Sequence, residues 1–264
     1  MAVRSIASCV AVALVLAAGA AVRAADVDDA QAAVKKVADA ANYSWSSAVQ
    51  GGRGNQTPVE YKAEKDGYST FTYAGFQGGD PTDIVMKGDK GVAKMADGWK
   101  TQAELQKAAD DAGGFSSEMM VLSRISSFTT PAAQAKGLLE KAKNIKKEGD
   151  TFSGDLAEAS AKDLMTFRFP GRGGPGGGDV PTMTITNAKG TIKVTTKDGA
   201  MNKLEIHLTG TRTFNDQENP VDQTTTITIK DVGSTKVTVP DEAKKKMMEV
   251  AATTTAPATM TTKP

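Results

Sequence analysis

An α+β fold is predicted, with an open, strongly curved antiparallel sheet (a half-barrel) wrapping central helices. Three observations predict it. Two stretches, 43–100 and 192–239, show a residue period of two broken by turn signals. The stretch between them, 101–166, shows helical spacing and helix caps. Finally, Lys65-Asp66-Gly67 and Lys197-Asp198-Gly199 turn a hairpin in each strand region, as if two similar half-sheets joined into one.

The chain opens with Arg4, an apolar run over 6–18 and Val22-Arg23-Ala24. That is the layout of a secretory signal peptide over residues 1–24, and the run is shorter than the roughly 20 residues of a membrane-spanning helix. Its removal takes away Cys9, the single cysteine, and the mature chain then has no disulfide and no thiolate metal site. Cys9 precedes the apolar stretch, the reverse of a lipoprotein-processing box. The chain has 32 basic and 31 acidic residues, and losing Arg4 and Arg23 turns its formal charge from +1 to −1. A balance so near neutral argues against nucleic acid as a partner. What remains suits one domain over 25–250, in the periplasm or cell envelope or secreted.

The first helix spans 26–41, with Asp26, Asp28 and Asp29 at its positive end and Val27, Ala30, Val34, Val37 and Ala41 along one stripe. A meander of about five strands follows. It runs from Tyr43-Ser-Trp45 through Val59, Tyr61 and Ala63, then Phe71 and Tyr73, Ile84-Val85-Met86 and Val92–Met95, to Trp99. Thr101-x-x-Glu104 is a capping box that opens a helix to about 112. A second helix covers 116–127, with Met119, Met120, Leu122 and Ile125, and Thr130-Pro131 starts a third bearing Leu138 and Leu139. A short strand at 151–156 and a helix at 157–166 precede a glycine-rich loop at 170–181.

The later strands hold Ile192 and Val194, then Leu204, Ile206 and Leu208 on one face, then 226–229 and 236–239, with 215–222 read as a polar loop. A short helix starts at Pro240, and the Thr/Ala/Pro tail from 251 to 264 has the composition of a disordered segment.

This order, with the ending Asp231-Val-Gly-Ser-Thr-Lys-Val-Thr-Val-Pro240-Asp-Glu-Ala, resembles the exported half-barrel proteins of the LolA/LolB and mycobacterial LppX/LprG type. The resemblance covers most of 26–248. It implies an unclosed sheet curled around helices, with an apolar cleft between them for lipid or lipoprotein acyl chains. Carriers of the LolA type place a functional arginine on a strand facing the cleft; here Arg53, Arg168, Arg172 and Arg212 read as lying in or beside loops.

The expected cleft walls are Trp45, Tyr61, Phe71, Tyr73, Met86 and Met95 from the sheet, with Leu105, Met119 and Leu122 from the helices. All four tyrosines fall within 43–73, and aromatic residues favour strands, so core packing produces the same pattern as a ligand wall. The methionines, Met86, Met95, Met119, Met120 and Met165, form an adaptable apolar surface or fill an irregular core.

Chemistry is sparse. His207 shares a strand face with Lys203 and Glu205, so Glu205–His207 is a conceivable dyad, yet no Gly-x-Ser-x-Gly elbow accompanies it. The loop 170–178 lacks the Gly-Lys-Ser/Thr of a phosphate cradle. Asp110-Asp111 and 215–219 lack calcium-loop spacing. Asn42-Tyr-Ser44 and Asn55-Gln-Thr57 match the glycosylation pattern. The expectation is a non-enzymatic, exported carrier or binding protein for an apolar ligand, monomeric and without cofactor or metal. Another envelope protein is a further partner class. The alternative is a structural or interaction module with a filled core.

Overall fold

The structure, a computed structural model, describes residues 25–51, 57–75, 79–112, 116–166, 183–214 and 216–255. Residues 1–24, expected to be a signal peptide, Phe76, the glycine-rich stretch 170–181 and the residues beyond Thr255 lie outside the described residues.

Helix α1 covers 25–38. Six strands follow: β1 (Asn42–Gly51), β2 (Val59–Glu64), β3 (Ser69–Tyr73), β4 (Thr82–Lys87), β5 (Lys90–Met95) and β6 (Gly98–Thr101). Then come helices α2 (Gln102–Ala112), α3 (Ser117–Ser126) and α4 (Pro131–Lys141), strands β7 (Ala142–Glu148) and β8 (Thr151–Leu156), and helix α5 (Glu158–Met165). Strands β9 (Met183–Lys197), β10 (Ala200–Phe214) and β11 (Gln217–Lys230) lead to α6 (Asp241–Thr255).

All eleven strands form one antiparallel sheet in the order β6-β5-β4-β3-β2-β1-β11-β10-β9-β8-β7. The sheet is open and curved. Two meanders meet where β1 pairs with β11, from Ser44↔Lys230 to Gly51↔Gln223, so the half-sheets read from the sequence do join into one. Both Asp-Gly turns form, with Asp66 at φ 55° and Asp198 at φ 54° followed by Gly199 at φ 70°.

Helices α1, α4 and α5 place Ala30, Val34, Val37, Leu138, Leu139, Ala161 and Met165 against Ile192, Val194, Leu204, Ile206 and Leu208. Helices α2 and α3 bury Leu105, Val121, Leu122 and Ile125 against β3–β5. Helix α6 lies on the opposite face, where Ala243, Met247 and Val239 cover Val85, Val92 and Trp99. This explains why 84–86 and 91–93 are buried without alternation: strands covered on both faces carry continuous apolar runs.

The structure corrects several expectations. Of the expected loop 215–222, the described residues 217–222 belong to β11, which stays paired with β10 out to Phe214↔Gln217, beside Asp216 at φ 60°. Arg212 therefore lies within β10, where its guanidinium donates to the Met165 carbonyl oxygen at 3.0 Å. Residues 236–239, expected as a strand, pair with no strand of the sheet. They run over the outer face instead, with the Val237 N–H donating to the Glu64 carboxylate at 3.4 Å. The first meander has six strands, β7 follows α4 directly where no strand was expected, and α6 continues to Thr255, past position 251.

Candidate functional site

The inner face is organised in rows by strand register. One row crosses six strands: Ile229 opposite Trp45, Trp45 opposite Tyr61, Tyr61 opposite Phe71, Phe71 opposite Ile84, and Ile84 opposite Ala93. Side chains in register on one face lie within contact distance. The row is thus a continuous apolar band, aromatic from Trp45 to Phe71 and small at Ala93.

The aromatic part is tightly stacked. Trp45 and Tyr61 have ring centroids 4.9 Å apart and planes 2° from parallel. Tyr61 and Phe71 follow at 4.8 Å, and Tyr43 adjoins Trp45 at 5.4 Å. Phe128, from the connection between α3 and α4, lies parallel to Phe71 at 5.6 Å and 5°. It also lies 6.3 Å from Trp45 and 6.4 Å from Tyr61. Burial raises the Tyr61 phenol above its ordinary range, with the Arg124 charge acting in the opposite sense. Burial likewise raises Tyr43, and a hydrogen bond with Thr130 opposes it.

Exposure is graded across the rows. On one side of the central row, Tyr43, Ala63, Ser69, Met86 and Gly91 are all buried. On the other, Val59, Tyr73 and Met95 are half-buried and form the rim. The Arg124 guanidinium lies 5.2 Å from the Tyr73 ring centre.

Seven of the nine expected wall residues fall in one group. Phe71, Met86, Leu105 and Leu122 are buried there, with Tyr61, Tyr73 and Met95 packed against them. Trp45 belongs to the adjoining core and is linked to the group through Tyr61. Met119 is buried on α3 outside both. Phe128, Ile84, Ala93, Val121 and Ile125 complete the wall and were not anticipated. An aromatic residue in an otherwise polar helix–helix connection, Ser-Ser-Phe-Thr-Thr, is the one signal that marked Phe128.

Helices α2 and α3 pack over the wall, and surface cavities of about 420, 560 and 630 Å³ lie away from it, while one of about 360 Å³ reaches Phe71 and Ile84 from the other side of the sheet. This last cavity lies on the outer face among Lys62, Thr70, Thr72, Asp83 and Trp99. The Glu205–His207 dyad does not form. Glu205 pairs with Lys203 at 3.0 Å, and His207 Nε2 lies 2.9 Å from Asp222 Oδ1 on the exposed face. Among the described residues, no group of three or more His, Cys, Asp or Glu side chains is placed to hold a metal ion. Among them, too, no helix is long and apolar enough to cross a membrane.

No family model and no curated protein matches the chain. Solved structures with a similar layout include the Mycobacterium tuberculosis lipoprotein LppX. It is 10% identical, covers 82% of this chain and 98% of its own, and has a TM-score of 0.43. LprF from Mycobacterium bovis is 12% identical, covers 83% and 97%, and has a TM-score of 0.39.

Proposed function

We propose that this is a non-enzymatic, exported binding or carrier protein of the cell envelope. Its ligand is apolar, a lipid or a lipoprotein acyl chain, held between the sheet and helices α2–α3. The observation that carries the reading is the graded wall, buried at Met86 and Gly91 and opening at the half-buried rim of Val59, Tyr73 and Met95. A chain entering at the rim and running along the aromatic row would gain about 0.8 kcal/mol for each methylene it buries. Arg124 makes the rim positive, which favours a chain ending in an anionic head group over a neutral one.

A second reading has a specific observation in its favour. Leu105, Leu122 and Ile125 of α2–α3, with Phe128, pack directly against Phe71, Ile84 and Met86 of the sheet, as in a structural or interaction module whose concavity is filled by its own helices.

Native purification of the exported protein, organic extraction and mass spectrometry separate the two. The carrier reading expects a stoichiometric lipid, lost when the rim is made acidic in a still-folded Tyr73→Glu/Met95→Glu protein. Absence of bound lipid, together with no uptake of a fluorescent fatty acid, would leave the module.

A further inference from the structure

We propose that Phe128 is a built-in occupant of the ligand site. Its ring holds the position taken by the ligand's apolar end, and it leaves when the ligand enters. The inference rests on the carrier reading and gives that site its competitor.

Three observations carry it. First, the ring is foreign to the surface it covers. Trp45, Tyr61 and Phe71 come from consecutive strands and are fixed by register, whereas Phe128 comes from the four-residue connection 127–130 between two helices. Second, its contacts are few and apolar. It is parallel to Phe71 at 5.6 Å and borders Trp45 and Tyr61 at 6.3 and 6.4 Å, tilted by 39° and 37°. A hydrocarbon chain can make apolar contacts of the same kind with these rings. Third, the backbone around Phe128 is arranged for a hinge. Helix α3 is capped at Ser127, whose N–H donates to the Ser123 carbonyl at 3.0 Å. Helix α4 starts afresh at Thr130, whose hydroxyl accepts the Ala133 N–H at 3.4 Å. The Phe128 N–H donates to the Ile125 carbonyl at 3.2 Å, so moving the ring breaks that one terminal bond and leaves the rest of both helices in place.

Phe128 is half-buried and packs against both core groups, so its departure opens the boundary between them. The apparent affinity for ligand is then the intrinsic affinity reduced by the fraction of molecules with the ring out.

The test places 4-fluorophenylalanine site-specifically at position 128 and follows its fluorine resonance while dansyl-undecanoic acid is added. A soluble paramagnetic relaxation agent reports exposure. The expected result is a shielded label in the free protein that becomes accessible in proportion to probe bound. Phe128→Leu, a smaller occupant that keeps the core filled, should bind the probe at least threefold more tightly. A label that stays shielded while the probe binds, or a folded Phe128→Leu with unchanged or weaker affinity, overturns the proposal and leaves the carrier reading standing. No probe binding by either protein overturns both.

Discussion

Trp45 and Tyr61 lie face to face across the β1–β2 pair, with centroids 4.9 Å apart and planes 2° from parallel. The same register that pairs them brings Phe71 against Tyr61, so the aromatic band is a product of strand alignment. Stacked aromatic pairs add about 0.5–1.5 kcal/mol beyond the area they bury. A double-mutant cycle with Trp45→Leu and Tyr61→Leu, read by urea unfolding, should give a coupling energy in that range.

The close approach of α3 to the sheet depends on Gly91. A Cβ there would meet Met86 Sδ at 2.6 Å and Ile125 Cγ2 at 2.7 Å. Gly91→Ala should therefore lower stability by about 1–3 kcal/mol through overpacking. Combined with Ile125→Ala, which removes one of the obstructing groups, the loss should be smaller than the sum of the two single changes. Chemical denaturation of the four proteins checks this.

Local rules made much of this architecture legible in the sequence. The Thr101–Glu104 box forms as expected, the Thr101 N–H donating to the Glu104 carboxylate at 2.7 Å and the Glu104 N–H to the Thr101 hydroxyl at 3.2 Å. Strand alternation sets Phe71 and Tyr73 on the inner face and Tyr68 on the outer one, as the structure has them. What escaped was settled by tertiary contacts. The polar run Gln217–Pro220 pairs as strand because the tip of a long hairpin needs no apolar side chains. Lys143, Lys146 and Lys147 disguise β7, whose place at the sheet edge suits charge. Val237 and Val239 alternate as a strand does, yet the period reports a buried side and says nothing of a hydrogen-bonded neighbour. Phe128 sits in no periodic element, so no spacing argument reached it.

The Glu104 carboxylate joins the two faces of the sheet. It receives the Thr101 N–H on α2's first turn and the Lys246 ammonium of α6 at 2.8 Å. Lys246, aided by the Thr101 N–H, holds the Glu104 carboxyl below its usual range. A lowered folded-state pKa stabilises above the unfolded value, about 4.3 for Glu, and that stability is lost as pH falls through the folded value. Glu104→Gln should therefore flatten the acid limb of the stability–pH curve below about pH 5. The half-exposed pair limits the effect to about 0.2–1 kcal/mol. Thermal melts of both proteins from pH 7 to pH 3 provide the comparison.

Arg124 faces Tyr73 at the rim, and among the described residues no carboxylate pairs with it. A fluorescent fatty acid should bind more tightly than its methyl ester, by about the three- to tenfold that an exposed charge contact supplies. Arg124→Gln should bring the two ligands level by weakening the acid alone. Parallel titrations of both ligands against both proteins measure the preference.

The most direct test of the central claim uses the two tryptophans, which lie on opposite faces of the sheet. In a Trp99→Phe protein, Trp45 is the sole tryptophan, and a fatty acid brominated along its chain quenches an indole it touches. The account predicts saturable quenching of Trp45, abolished by an excess of the unbrominated acid. Binding of the brominated acid with Trp45 emission unchanged would place the ligand elsewhere and contradict the account.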